Sequence, residues 1–290
     1  MQRISIASTW GIRKRAFVSK ASSTRSRGDA TKGSHGIPLS GVFDRAMREF
    51  PKDMHAIPGV LVAGVTGVAS AAFAWGAAAP SSQLFGRTIR YTGRPSTIAL
   101  TFDDGPNPAI TPALLELLDR HGAKATFFLI GKWIRAAAPV AREIAARGHT
   151  IGNHTETHPA LTFHSRAQIA IEIDRCDEAI ESAIGRQPRW MRPPFGFRSP
   201  LLDGVVRKRG GAGVVMWSRL ARDWNPQPAE PMIHRLRRVR GGDIVLLHDG
   251  DHRVLEGDRR HTVDALAYWL PRWKDAGLQF VTLDDISSVD

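Results

Sequence analysis

The sequence predicts an α/β fold: an irregular barrel of fewer than eight parallel strands with surrounding helices, preceded by a basic tail. Three observations carry this. From Thr97 onward, short apolar runs alternate with helix-period patterns, the alternation that builds a parallel sheet. Residues with reactive side chains follow several different strands, as they do where a barrel gathers its site at the carboxyl ends of its strands. Residues 1–50 are rich in Ser, Arg, Lys and Gly and have little hydrophobic periodicity, so no core can form there. A chain of 290 residues holds one large domain with an appendage or two small ones, and no internal repeat is visible.

Residues 1–56 are expected to be a mostly disordered tail. They carry eleven Lys and Arg against four Asp and Glu, whereas the rest carries twenty-nine against twenty-four. The net charge of +12 therefore lies mainly in the tail. No basic-aromatic stripe marks the remainder, so no nucleic-acid partner is expected. No Asp, Glu, Lys or Arg occurs from Met54 to Gly86, and the centre of this stretch, Val60 to Ala79, is apolar. Its length suffices to cross a bilayer, although Ala, Gly and Val make insertion only marginally favourable. Arg45, Arg48 and Lys52 precede it and would hold the tail inside while the later domain faces outward. Residues 57–80 are thus a candidate membrane anchor or signal segment, with Met54 as an alternative start and a loosely packed helix as the alternative reading. The expected location is a bacterial cell envelope, with a cytoplasmic location as the alternative.

The elements follow in order. Thr97 to Leu100 begins a buried strand that Gly105-Pro106 ends. Thr111 and Pro112 open a helix carrying Leu114, Leu115 and Leu118, and Gly122 closes it. Ala125 to Gly131 is a second strand, and Pro139 to Arg147 a helix closed by Gly148. His149 to Asn153 is a third strand that delivers His154. The helix Ala167 to Ile184 presents Ile169, Ile173, Cys176, Ile180 and Ile184 on one face, so the single cysteine is a core residue. Short strands at Trp190-Met191, Val214 to Trp217 and Ile244 to Leu247 lead to a last helix, Thr262 to Lys274, and a strand from Gln279 to Thr282.

Two pieces carry chemistry: Asp103-Asp104 at a strand end, and His154-Thr155-Glu156-Thr157-His158 at another. One carboxylate with two imidazoles makes a three-ligand site with an open position for water, and the other carboxylate is then free to act as a base. Neighbours on a regular strand face opposite ways, so both acids reach one cleft only where the strand distorts, which Gly105-Pro106 allows. The histidines are four apart, so one helical turn would align their rings, and Pro159 implies a turn that stops at His158. Metalloproteases of the H-E-x-x-H type need Glu directly after the first His, where Thr155 stands, so that chemistry is excluded.

Three further segments follow: Arg192-Pro193-Pro194-Phe195-Gly196, Trp217 to Trp224, and Ile244 to Asp249. With the first two they resemble the ordered motifs of the polysaccharide deacetylase family (the NodB-homology, or carbohydrate esterase 4, domain), from roughly Arg90 to Ile286. The resemblance implies an irregular (β/α) barrel over residues 90–286 and a hydrolase that removes N-acetyl groups from an N-acetylglucosamine-containing glycan. It implies Asp104, His154 and His158 as ligands of one divalent metal ion, zinc by ligand type, with cobalt or nickel able to occupy the same set. Asp103 would be the base and His248 the acid, with Arg192 orienting Asp103 and Asp223 orienting His248. The Phe195 N–H would hold the oxyanion, and Trp224 and Leu246 would wall the acetyl pocket. The remaining histidines, including His121, His149, His164 and His261, read as structural or solvated. Two departures stand out: Leu220 occupies a position that is often acidic, which thins the network around Asp223, and Phe195 replaces a frequent Tyr. O-acetyl esterase activity on an acetylated polysaccharide is the alternative, and a non-catalytic glycan-binding protein a more distant one.

Overall fold

The computed structural model describes residues 56–286. The expectation of a disordered tail falls almost wholly outside them. A helix α1 (Ala56–Ala78) comes first, then strand β1 (Thr88–Ile89) and the central strand β2 (Thr97–Gly105). Helix α2 (Thr111–Arg120), strand β3 (Ala125–Leu129), helices α3 (Gly131–Ala136) and α4 (Ala138–Ala146) and strand β4 (Thr150–Asn153) follow. Next are the long α5 (Arg166–Ile184), β5 (Trp190–Met191), α6 (Leu202–Lys208), β6 (Gly213–Val215) and β7 (Arg219–Leu220). Helix α7 (Ala229–Leu236), β8 (Ile244–His248), α8 (Arg260–Asp275) and β9 (Gln279–Phe280) complete the chain.

The strands pair in the order β1-β6-β5-β4-β3-β2-β8-β7, and β9 pairs with the start of β2. Every strand pair is parallel. This is the expected irregular barrel, curled and open between β1 and β7. The path holds eight strands rather than fewer, because β1 and β7 are only two residues long and leave no periodic signal. Helices α3, α6 and α7 were also not foreseen; α3 starts on Gly131 itself, which read as a strand's closing residue.

All nine residues of β2 are buried, and their alternation divides the interior. Ile98, Leu100 and Phe102 pack outward with Leu114, Leu118, Leu266 and Leu270 of the helices. Each such side chain contributes about 2 kcal/mol on burial. Ala99 packs with the opposite set, Phe128, Trp190 and Val215, and Thr101 and Asp103 follow it on that face at period two. α5 is capped at both ends as its residues dictate. Ser165 and Gln168 form a reciprocal capping box, and Gly185 takes a left-handed conformation (φ 74°) beyond its last turn.

The candidate anchor at 57–80 is largely α1. Among the described residues no helix is long and apolar enough to cross a membrane. The helix end is joined to the barrel. Arg198, 1% exposed, donates from Nη2 to the Ala79 carbonyl (2.6 Å) and from Nη1 to the Ser82 carbonyl (2.8 Å), and its backbone N–H donates to Ala77 (2.9 Å). The guanidinium holds two carbonyls of the turn that follows α1, and the Arg198 backbone N–H meets a carbonyl of the last helical turn. Charged hydrogen bonds of this kind are worth about 1.5–3 kcal/mol each. Arg198→Ala, and separately a chain beginning at Arg90, are therefore expected to melt about 6–12 °C below the full-length protein. A melting curve unchanged in both would show that this junction contributes nothing.

Candidate active site

Because the strands are parallel, their carboxyl ends open on one cleft of about 430 Å³. Asp103, Asp104, His154, His158, Phe195, Trp224, Leu246 and His248 all line it. A larger hollow of about 730 Å³ lies where β4 begins, beside Arg142, His149 and Asp284; no motif residue reaches it, so size does not locate the chemistry.

The two aspartates share the cleft through the distortion that the sequence required. Pairing between β2 and β3 shifts register between Asp103 and Gly105, and Asp104 adopts φ 72°, a left-handed conformation costly for a residue with a Cβ. The turn is held from outside. A Cβ on Gly105 would lie 2.5–2.6 Å from the Asp249 carboxylate oxygens, and one on Gly250 would collide with the Asp104 carbonyl. Thr111 Oγ1 donates to Asp249 Oδ2 at 2.5 Å, and burial pushes that carboxyl up to about 7.

His154 and His158 do not lie on a helical turn. Thr155 (φ 67°) and His158 (φ 64°) are left-handed, and the His158 N–H donates to Thr155 Oγ1 (3.1 Å), so a tight loop brings the rings together. Pro159 bars the α conformation at His158, as expected, but the alternative taken is left-handed rather than extended. The ring centroids are 4.9 Å apart. One ligand atom from each of Asp104, His154 and His158 lies within 4.8 Å of the others, and all three side chains are buried. His154 Nδ1 lies 2.7 Å from the Arg192 carbonyl, so Nδ1 carries the proton and Nε2 turns its lone pair inward, 3.5 Å from Asp104 Oδ1. Asp104 Oδ1 is buried without a hydrogen-bond partner, although His158 Nε2 is 3.1 Å away. Lone pairs converging on a carboxylate oxygen with no donor fit a divalent cation. Burial opposes ionisation of Asp104, but the imidazoles of His154, His158 and His252, when their inward nitrogens carry protons, outweigh it and hold the carboxyl well below the usual range. Burial lowers the His158 imidazole.

Asp103 is held from behind. The fully buried Arg192 donates from Nη1 to Asp103 Oδ1 and to Thr101 Oγ1 (2.8 Å each) and from Nη2 to the Met216 carbonyl (3.1 Å). Its guanidinium also lies over the Phe128 ring at 4.3 Å. His248 is in register with Asp103 on the neighbouring strand. Its Nδ1 is 2.8 Å from Asp223 Oδ1 and its backbone N–H donates to Asp223 Oδ2 (2.8 Å). Burial works against the imidazolium, but Asp223, with Asp104 and Asp103 behind it, raises His248 to about 9. Asp223 also accepts from Thr262 Oγ1 (2.9 Å), and its carbonyl lies 2.9 Å from His261 Nε2. The network around Asp223 is therefore not thin, despite Leu220, because β8 and α8 supply the missing partners. Phe195 adopts φ 57° and turns its half-exposed ring edge-on to His158, 4.5 Å between centroids.

A residue not singled out in the sequence completes this wall. His252 stacks on His158 (4.4 Å between centroids, 20° between planes), and its Nδ1 is 3.9 Å from Asp104 Oδ2. It lies four residues beyond His248 in a loop without periodicity; only its nearness to the last motif could have marked it.

Comparison with known proteins agrees with this arrangement. The family model described as polysaccharide deacetylase matches residues 90–213. A chitooligosaccharide deacetylase of Azorhizobium caulinodans is 37% identical over 202 residues, 67% of this chain and 96% of that protein. The chain belongs to the polysaccharide deacetylase family. A peptidoglycan-N-acetylglucosamine deacetylase of Bacillus cereus is 38% identical over 194 residues, 65% of this chain and 87% of that one. A solved peptidoglycan N-acetylglucosamine deacetylase superposes with a TM-score of 0.61 at 32% identity, covering 66% of this chain and 87% of the other. Membership makes the protein a hydrolase of the deacetylase type. Its family match starts at Arg90, so α1 precedes the matched region.

Proposed function

We propose that the protein removes N-acetyl groups from a chitin-like or peptidoglycan-like glycan containing N-acetylglucosamine. One observation carries this: an Asp-His-His ligand set, a carboxylate backed by arginine and an imidazole backed by aspartate converge in a single cleft. The names of the relatives from Azorhizobium and Bacillus supply the substrate class. Asp104, His154 and His158 would hold a divalent metal ion, zinc from its N/O donor set. When bound, such an ion polarises the acetyl carbonyl and brings the pKa of water towards about 7.

The chain's own groups do the rest. Arg192 occupies Asp103 Oδ1 and orients the carboxylate, which leaves Oδ2 to take the proton of the attacking water. The left-handed turn at Phe195 offers a backbone N–H to the developing oxyanion. His248, with Nδ1 committed to Asp223, gives the Nε2 proton to the departing amine. Leu246 and Trp224 close the pocket around the acetyl methyl, and the exposed faces of Phe195 and Trp224 suit a sugar ring.

A raised His248 is the protonated acid at neutral pH. Acetate release is expected to decline as pH rises, no later than about 9, because a cation in the cleft only lowers that value. Asp223→Asn should move the decline towards 6.5, and an unmoved alkaline limb would remove His248 from the mechanism. The sign for folding is the same: the pair's stabilisation is complete below 6.5 and lost as pH rises through about 9.

Acetate release from chitooligosaccharides and from acetylated xylan, before and after a chelator, tests the assignment. The expected result is release from the first substrate, loss of more than about 100-fold on chelation, and recovery with Zn²⁺. Faster release from xylan would favour the O-acetyl esterase, whose site is the same except for an alcohol leaving group. No release from any acetylated sugar would leave a glycan-binding role. A location outside the cytoplasm, in the cell envelope, follows from the peptidoglycan class of substrate and remains part of this proposal; α1 does not supply the span.

A further inference from the structure

We infer that His252 is a positioning residue for the metal-holding imidazole of His158; this rests on the metal-dependent reading above. A ligating imidazole is ordinarily oriented by a hydrogen bond from its other ring nitrogen. His154 has one, from Nδ1 to the Arg192 carbonyl at 2.7 Å. His158 does not: its Nδ1 is buried with no partner. Its ring plane is set by packing instead. Phe195 meets it edge-on at 4.5 Å and 71°, and His252 stacks on the ring at 4.4 Å and 20°. Without the stacked ring, His158 would keep only the edge-on contacts of Phe195 and His154 and gain a rotational freedom that binding an ion must remove.

The stack is built from behind. The carbonyl of His252 accepts from Lys132 Nζ (2.8 Å), and that of Asp251 accepts from Trp133 Nε1 (3.0 Å), so α3 grips the backbone on both sides of the peptide. The Asp251 carboxylate accepts from Arg259 Nη2 (3.0 Å), and the same nitrogen donates to the Trp224 carbonyl (2.7 Å). Arg259 is 1% exposed. A buried ion pair thus ties the loop to the Trp224 backbone across the cleft, and the His252 ring is held over His158 through its own backbone and that of Asp251.

The test is Zn²⁺ affinity of the full-length protein by competition with a chromophoric chelator, with the visible spectrum of the Co²⁺ form as a second readout. Wild type should take up one ion, and Asp104→Ala should bind it more than about 100-fold more weakly; a wild type that takes up none ends the metal reading and this inference with it. His252→Ala is expected to weaken binding about 10- to 100-fold and to alter the Co²⁺ spectrum. His252→Phe, which keeps the ring, should stay within about threefold of wild type with an unchanged spectrum. His252→Ala binding like wild type would overturn the inference while leaving the metal reading intact. So would His252→Phe binding as weakly as His252→Ala, since the ring would then not be what matters. Unfolding of the metal-free His252→Ala variant should match wild type, because the side chain is one-third exposed (32%).

Discussion

Asp103→Asn is expected to reduce acetate release about 10²- to 10⁴-fold in kcat, the range for loss of a positioned base. Binding of Zn²⁺ should change little, because Asp103 is not among the converging ligand atoms. The amide preserves shape and an acceptor for Arg192 at Oδ1, so geometry survives and only the proton-accepting charge is lost. The measurement is initial rate at saturating chitooligosaccharide, beside a chelator titration of the same preparation. A rate within twofold of wild type would remove Asp103 as the base. Loss of both rate and metal would instead make it a ligand.

The largest expected effect on stability comes from the other half of that pair. Arg192 is fully buried, and its neighbours include an acid, a hydroxyl and two carbonyls. Burial lowers its own pKa, and Asp103 opposes that shift. Arg192→Met leaves Asp103 charged and uncompensated, at a cost of about 3–5 kcal/mol. Urea unfolding should register this as a lower midpoint at an unchanged slope. Adding Asp103→Leu to Arg192→Met should recover much of the loss, because removing both charges avoids the stranded one. A double variant less stable than Arg192→Met alone would mean that the pair is not the source of the cost.

The local pattern was enough for much of the fold. The apolar run that opens β2 and the 4-3-4-4 spacing in α5 depend only on neighbours along the chain, and both elements formed where expected, Cys176 included. The short strands β1 and β7 and helices α3, α6 and α7 were not legible, because a two-residue strand is defined by its partner and not by its own residues. For the site, the residue types and their order after strands were legible. How Asp103 and Asp104 face the same way was legible only as a requirement, met by the left-handed turn that Asp249 and Gly250 brace.

By itself the sequence determined the order of the longer elements and the residue types that follow the strands, since both follow from short-range spacing and residue chemistry, while the family came from the resemblance of its five ordered motifs. Tertiary structure alone decided that Asp223 is supported by Thr262, that Arg198 closes on the end of α1, and that His252 reaches the metal-holding face. Those partners are 39, 119 and 94 residues apart in the chain or separated by whole strands, as Thr262, Ala79 and His252 show. No pattern within a few residues encodes such contacts; they exist because parallel strands bring every carboxyl end to the same side.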